Sequence, residues 1–201
     1  TTKLRRGHAT GYEETIEHCK KSLELLDMDY IDLYLVHAPP ENPEHREPVW
    51  KAMEFCLEQG WVKSIGVSNY GPTHLEAMKQ YASYLPSVNQ VEFNPWLQRP
   101  NLKQATENIG AKVMAYSPLA RGHKVDDPEL IAIAEKIGCT PAQVAIKFCY
   151  DEGCITIPKS SNPDRIIENI ESLKVDISQV YDEIKALECN YVSGWDPTTE
   201  P

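Results

Sequence analysis

The sequence lacks the short motifs of several common protein classes. Its six cysteines form no C-x-x-C pair, its six histidines form no H-E-x-x-H motif, and no G-x-G-x-x-G pattern occurs. We therefore expect no metal site and no dinucleotide-binding Rossmann unit. Several cysteines fall on apolar helix or strand positions, so we interpret them as buried reduced thiols rather than as a disulfide framework.

Basic charge and long apolar runs are also scarce. Lysine and arginine number 20 against 30 acidic residues, the formal net charge is −10, and the basic residues form no block. We therefore expect neither nucleic acid nor an anionic membrane as a partner, whereas an anionic ligand can still bind to a local basic cluster. No apolar stretch reaches the roughly 18 residues that a membrane helix needs, so we expect a cytoplasmic protein. The oligomeric state is not indicated.

Short apolar runs alternate with amphipathic helical stretches along the chain. The strand-like runs are residues 31–37, 64–69, 88–93, 112–117 and 154–159. Several later helices open with a capping residue and a proline, at Asp127-Pro128, Thr140-Pro141 and Asn162-Pro163. This alternation predicts parallel strands covered on both faces, and the missing glycine motif favours a barrel over a doubly wound sheet. We expect one domain over residues 1–201.

Polar residues follow the strand-like runs at their carboxyl ends. We expect Lys3 to end a further strand that starts before the chain, and Gln90 and Glu92 lie on the third run. The polar strand ends are His37, Ser68 with Asn69, Tyr116 with Ser117, and Lys159 with Ser160. In parallel β/α barrels the active site forms at this face, so the pattern predicts an enzyme site there.

His37 is the clearest catalytic candidate. It follows an apolar strand and precedes Ala38-Pro39-Pro40. An imidazole at a barrel strand end can orient a carbonyl group or relay a proton near neutral pH. The alternative is a core histidine whose ring is bonded to the backbone.

The segment from Lys159 to Arg165 favours an anion such as a phosphate. It supplies a cation, two hydroxyl groups, a helix start with exposed N–H groups, and an arginine in the first turn. A capped surface helix with a solvated arginine is the alternative.

The order of these motifs resembles the aldo-keto reductase family. The resemblance runs from Thr2-Lys3-Leu4 to the tail at Gly194-Trp195-Asp196-Pro197. It rests on Asp32-Leu-Tyr-Leu-Val-His37, Ile65-Gly-Val-Ser-Asn69, Asn89-Gln-Val-Glu92, Ala115-Tyr-Ser-Pro-Leu119, Ile157-Pro-Lys-Ser160 and Arg165-Ile-Ile-Glu-Asn169. Each fragment is moderately specific alone, and together in this order they are highly specific.

The resemblance implies an incomplete (β/α)8 TIM-type barrel, covering strands four to eight and the end of strand three. It implies that Lys3 is the catalytic lysine, that His37 orients the substrate, and that NADP is the cofactor. Ser68, Asn69 and Gln90 would hold the nicotinamide carboxamide, with Tyr116 stacking on the ring. Ser117 and Leu119 would bind the pyrophosphate, Lys159, Ser160 and Arg165 the 2′-phosphate, and Glu168 and Asn169 the adenine.

The implied reaction is reduction of an aldehyde or ketone by hydride transfer from NADPH. The family's acid tyrosine and its aspartate partner belong to strands before Lys3, and Tyr12 does not replace the tyrosine. We expect a chain without them to lack its proton donor.

Two alternatives stay open: a non-catalytic NADP-binding or regulatory barrel, and a lyase that forms a Schiff base on Lys3. Trp96 is a weaker candidate for lining the substrate pocket.

Overall fold

A computed structural model describes residues 1–199, and the chain divides into two compact units. Unit 1 comprises Thr1–Gln90, Asn101–Lys112 and the segment from Asp196 onward. Unit 2 comprises Val91–Pro100 and Val113–Trp195. The single domain over residues 1–201 stays a prediction, and the two units are described separately.

The strands of unit 1 pair in parallel and in chain order. They are β1 (Thr2–Leu4), β2 (Tyr34–Val36), β3 (Ile65–Ser68) and β4 (Val88–Glu92), the last of which continues into unit 2. Every residue of β2, β3 and β4 is buried. The parallel α/β class and the cover on both faces are confirmed for these strands.

Helices follow the strands of unit 1 as the apolar spacing predicts. They are α1 (Tyr12–Leu26), α2 (Arg46–Glu58), α3 (Pro72–Met78) and α4 (Pro100–Asn108). Ile16 and Cys19 of α1 are buried, as are Val49 and Met53 of α2. Leu26 keeps the helical spacing of Ile16, Cys19 and Leu23, which predicts that it lies on the buried face of α1, but it is 48% exposed. That assignment is wrong because the helix ends there, and Asp27 takes a left-handed conformation with φ 50°.

Unit 2 contains β5 (Lys112–Tyr116, from Val113 onward) and β6 (Ile155–Thr156), which pair in parallel. Its helices are α5 (Pro128–Ile137), α6 (Pro141–Asp151), α7 (Pro163–Glu171) and α8 (Tyr181–Lys185). The three predicted caps are confirmed, because the side chains of Asp127, Thr140 and Asn162 each accept a backbone N–H of the first helical turn.

Two predicted elements of unit 2 differ from the structure. The strand over 154–159 has only two residues, and Ile155 and Ile157 are 42% and 38% exposed, so cover on both faces is wrong here. Within unit 2 only β5 pairs with this strand among the described residues. The sequence also predicts a final helix that starts at Ser178 and runs through Ile184 and Leu187. The structure instead has a 3-10 turn followed by the five residues of α8, because Val180 leaves helical geometry at φ −117° and ψ 8°.

The described cysteines are all free thiols. Cys19, Cys56, Cys149 and Cys154 are buried as predicted, whereas Cys189 is exposed in the segment after α8. Among residues 1–199, no helix is long and apolar enough to cross a membrane, and no cluster of three or more side chains could hold a metal ion.

Candidate active site

Lys3 and His37 lie at the carboxyl ends of neighbouring strands in unit 1. Leu4 pairs with Val36 in the β1–β2 register, and the His37 backbone N–H donates to the Leu4 carbonyl oxygen at 3.0 Å. The Lys3 side chain is half-buried and His37 is exposed. Within residues 1–199, no hydrogen bond or ion pair engages either side chain. Both groups are therefore available to a ligand.

The surroundings of these two groups disfavour positive charge. Burial lowers the pKa of the Lys3 ammonium. Burial also lowers the pKa of His37, and the neighbouring charges of Lys3 and Arg5 lower it further. Because a free histidine titrates near pH 6.5, His37 is a neutral imidazole at neutral pH. A neutral ring keeps one N–H, which can donate to a carbonyl oxygen.

Ser68, Asn69 and Gln90 are brought together beside the His37 main chain. The Ser68 hydroxyl donates to the Gln90 carbonyl oxygen at 2.7 Å. The Asn69 side-chain NH2 donates to the His37 carbonyl oxygen at 2.9 Å and to Ser68 Oγ at 3.2 Å. The three side chains are 1%, 4% and 5% exposed. These bonds connect three strand ends of unit 1 and fix the backbone that carries His37.

Unit 2 contains a cavity of about 790 Å³ in the loops after its strands. This volume is typical of a small-molecule site. Its wall includes Ser117, Leu119, Lys159, Ser160, Arg165, Glu168 and Asn169, all of which the sequence predicts as cofactor residues. Tyr116 is half-buried at the end of β5 and does not line the cavity.

The start of α7 differs from the prediction in one respect. The side-chain oxygen of Asn162 accepts the backbone N–H groups of Asp164 and Arg165 at 2.8 and 3.3 Å. Those two N–H groups are occupied by the cap, so the expectation that they bind a phosphate is wrong. Positive charge at this end of the cavity comes instead from the exposed side chains of Lys159 and Arg165. Neither side chain has a partner among the described residues.

The two predicted adenine contacts have different surroundings. Glu168 accepts a hydrogen bond from the Thr140 hydroxyl at 2.5 Å, which connects α7 to the cap of α6. Asn169 is 8% exposed, and its carbonyl oxygen accepts a hydrogen bond from the Ser172 hydroxyl. Both are thus held in place at the wall of the cavity.

Trp96 lies in the core of unit 2. Its side chain is 1% exposed, and its carbonyl oxygen accepts the Tyr191 N–H at 2.9 Å. A side chain this buried offers a substrate almost no surface, so the structure disfavours the substrate-lining role. The tryptophan instead supports the segment that contains Tyr191.

Two charged residues of unit 2 gain importance only from the structure. Arg121 lines the cavity, and its single sequence signal is its position two residues after Leu119. Glu92 is 2% exposed, and its carboxylate accepts the Ser193 N–H at 3.1 Å and the Ser193 hydroxyl. An acidic residue inside a buried strand was the signal that Glu92 has a specific partner.

Comparison with known proteins assigns these elements to a family. The sequence model described as "Aldo/keto reductase family" matches residues 1–188. The chain is 36% identical over 194 residues to an uncharacterised oxidoreductase of Schizosaccharomyces pombe, covering 96% of this chain and 70% of the relative. It is 40% identical over 178 residues to the glyoxal reductase of Bacillus subtilis, covering 88% and 64%. The chain thus spans about two thirds of the length of these relatives.

Solved structures agree. An aldo-keto reductase from a Medee basin deep-sea metagenome library superposes with a TM-score of 0.91 at 31% identity, covering 100% of this chain and 76% of that one. A Bombyx mori aldo-keto reductase in complex with NADP gives a TM-score of 0.85 at 30% identity, covering 96% and 68%. The parallel α/β fold that the alternation of strands and helices predicts is therefore the fold of this family.

Proposed function

Because the chain belongs to the aldo/keto reductase family, we propose that it serves the reduction of small aldehydes or ketones with NADPH as the hydride donor. The observation that carries the proposal is the placement of Lys3 and His37 at adjacent strand ends, with neither side chain engaged by the described residues. A B. subtilis relative is named glyoxal reductase and a Dictyostelium discoideum relative aldose reductase B, which supports carbonyl compounds as the substrate class.

The cavity of unit 2 fits a phosphorylated nucleotide. Lys159 and Arg165 present positive charge without a counter-ion among residues 1–199. A 2′-phosphate needs such neutralisation, which favours NADPH over NADH. We assign Lys159, Ser160 and Arg165 to the 2′-phosphate, Ser117 and Leu119 to the pyrophosphate, and Glu168 and Asn169 to the adenine.

In unit 1 we assign Ser68, Asn69 and Gln90 to the nicotinamide carboxamide. The bonds from the Ser68 hydroxyl to the Gln90 carbonyl oxygen and from the Asn69 NH2 to Ser68 Oγ leave the Ser68 and Asn69 side chains little freedom, which suits a group that must be held in one orientation. Tyr116, at the end of β5, is assigned to stacking on the ring. When bound, the nicotinamide supplies the hydride.

His37 orients the substrate in this proposal. Its ring is neutral at neutral pH, so one N–H donates to the carbonyl oxygen and fixes the direction of the carbonyl group. Lys3 places a cation on the neighbouring strand end, where it stabilises negative charge that develops on that oxygen. Within residues 1–199 no tyrosine is assigned to proton donation, since Tyr116 at the end of β5 is assigned to the nicotinamide ring. The proposal therefore assigns orientation and charge to Lys3 and His37, and not proton donation.

The proposal is tested with purified protein in two measurements. NADPH binding is followed by nucleotide fluorescence, and turnover by the loss of NADPH absorbance with glyoxal, aromatic aldehydes and aldoses. We expect NADPH to bind more tightly than NADH. We expect at least one aldehyde to be reduced only by protein in which a proton donor accompanies Lys3 and His37, because the alkoxide oxygen left by hydride transfer must be protonated. NADPH binding without turnover of any carbonyl would support the non-catalytic alternative. Absence of binding would contradict both.

A further inference from the structure

Arg121 lies in a strained loop at the wall of the unit 2 cavity. Ala120, Arg121 and Gly122 have consecutive φ angles of 45°, 56° and 86°. This left-handed region is unfavourable for residues other than glycine, and such strain persists only where the surrounding structure imposes it. The turn directs the chain after β5 along the cavity, where Arg121 and Gly122 both line the wall.

The Arg121 guanidinium has no counter-ion of its own. The residue is exposed, and no hydrogen bond or ion pair engages its side chain within residues 1–199. It lines the same cavity as Lys159 and Arg165, although those two cations come from the segment between β6 and α7. Three cations from two segments therefore surround one cavity, and the sequence predictions assign a ligand to only two of them.

Gly194 determines where the Arg121 guanidinium can lie. A Cβ atom at position 194 would lie 2.6 Å from Arg121 Cζ and from one of its terminal nitrogens. These distances are far inside van der Waals contact, so any side chain at this position would displace the guanidinium. The close approach requires glycine at position 194.

The segment that contains Gly194 is itself fixed within unit 2. The Ser193 N–H and hydroxyl donate to the buried carboxylate of Glu92. The Tyr191 hydroxyl is 3.1 Å from His123 Nδ1 in the loop after Arg121, and the Lys124 ammonium lies 5.2 Å from the Tyr191 ring centre. The segment is thus anchored to the core on one side and to the strained loop on the other.

We propose that Arg121 binds the pyrophosphate of the nucleotide and that Gly194 is the positioning residue that keeps its guanidinium at the cavity. This inference rests on the proposed function. The planar fork of the guanidinium matches two phosphate oxygens. Arg121 follows Ser117 and Leu119, the predicted pyrophosphate segment, by four and two residues, whereas the predicted 2′-phosphate residues lie on the other segment. The tail after α8 thereby acts on nucleotide affinity through Arg121.

The first test compares Arg121→Gln with Arg165→Gln on two nucleotides. The pyrophosphate is common to NADPH and NADH, whereas the 2′-phosphate is present only in NADPH. We expect Arg121→Gln to raise the Kd for both nucleotides by a similar factor of about ten. Arg165→Gln is expected to raise the Kd for NADPH alone. Lys174→Gln, which removes an exposed cation outside the cavity, serves as the charge control.

The second test compares Gly194→Ala with Gly7→Ala. A Cβ at Gly7 meets nothing within 4 Å, so Gly7→Ala is the matched control. We expect Gly194→Ala to weaken the binding of NADPH and of NADH by the same factor. In protein that already carries Arg121→Gln, we expect it to cause no further loss of affinity. A purely structural effect of the added methyl group would add to that of Arg121→Gln instead.

The outcomes separate this inference from the proposed function. If the wild-type protein binds NADPH and Arg121→Gln binds both nucleotides like the wild type, the pyrophosphate assignment is wrong while the proposed function stands. A loss of affinity for NADPH alone would indicate that Arg121 binds the 2′-phosphate, which would also overturn the inference. If the wild-type protein binds neither nucleotide, the proposed function fails, and this inference fails with it.

Discussion

The candidate groups of the two units are held in different ways. In unit 1, Ser68, Asn69 and Gln90 are buried at strand ends, where the Ser68 side chain donates to the backbone of Gln90 and the Asn69 side chain donates to Ser68 Oγ and to the backbone of His37. In unit 2, Arg121, Lys159 and Arg165 are exposed on loops and a helix start. Groups that orient a reacting bond need fixed geometry, whereas cations that attract a phosphate act over a longer range. The contrast fits the proposed function, in which unit 1 orients the reacting groups and unit 2 neutralises the charge of the nucleotide.

The glycines show the same contrast. Gly66 of β3 lies where an added Cβ would meet Leu35 Cδ2 and the Val88 carbonyl oxygen at 2.8 Å, inside the packed strands of unit 1. Gly194 of unit 2 approaches the flexible end of an arginine. At Gly66 the neighbouring atoms belong to packed strands, so a side chain there would disturb the fold. At Gly194 the neighbour is the end of a flexible side chain, so a side chain there would change only the position of that end.

The largest expected effect is on catalysis, from His37→Gln. Glutamine keeps a hydrogen-bond donor but loses the ring that orients the carbonyl group, while the backbone bond from Asn69 to position 37 remains. We expect kcat/KM for aldehyde reduction to fall about 100-fold, with an unchanged Kd for NADPH. Steady-state kinetics and nucleotide fluorescence measure the two quantities. If His37→Gln changed kcat/KM and the Kd for NADPH by the same factor, the division of roles between the units would be wrong.

The next effect is on stability, from Gly66→Ala. The added methyl group meets a backbone oxygen that cannot move without shifting β4, so we expect the free energy of unfolding to fall by about 1–3 kcal/mol. Urea unfolding followed by circular dichroism measures the loss. Gly7→Ala is the matched control, and a similar loss in both variants would mean that strand packing in unit 1 is not the cause.

Arg165→Gln tests whether unit 2 acts on nucleotide binding without acting on the chemical step. We expect the Kd for NADPH to rise about tenfold, since one charge-assisted contact is removed. At saturating NADPH, kcat should equal that of the wild type, because the proposed function gives Arg165 no part in orienting the substrate. Titration and saturation kinetics check both statements. A fall in kcat at saturation would give Arg165 a part in the chemistry and weaken the contrast.

Local patterns in the sequence predict much of this arrangement. Apolar runs followed by a polar residue predict β2 to β5 and the position of His37, and an oxygen-bearing residue before proline predicts the caps at Asp127, Thr140 and Asn162. These signals work because each depends on residues within one turn or one strand.

The remaining features depend on partners that are distant in the chain. Glu92 and Ser193 are 101 residues apart, and the contact of Arg121 with Gly194 depends on where the tail lies. No spacing rule connects such pairs. The Asn162 cap illustrates a different difficulty: the same residue that predicts the start of α7 also occupies the N–H groups that would otherwise bind an anion.

The smallest expected effect is a shift in the titration of His37 on changing Lys3 to methionine. Burial is the larger cause of the lowered His37 pKa, and the charge of Lys3 is the next. Removing that charge while retaining an apolar stem should raise the pKa of His37, although burial keeps it below the value of a free histidine. NMR titration of the His37 ring protons measures the change. Arg5→Gln should raise the pKa less, because Arg5 is the last of the three causes.

The same substitution alters how stability depends on pH, and the sign follows from the titration. With the folded pKa below that of the unfolded chain, the unfolded state binds more protons between the two values, so stability rises with pH across that window. Lys3→Met raises the folded pKa of His37 and so narrows, from its lower end, the pH range between the folded and unfolded pKa values. The free energy of unfolding of this variant should therefore depend less steeply on pH just below pH 6.5 than that of the wild type. An unchanged slope, together with an unchanged His37 titration, would mean that the two strand ends of unit 1 do not interact electrostatically. The contrast with unit 2 would then rest on hydrogen bonding alone.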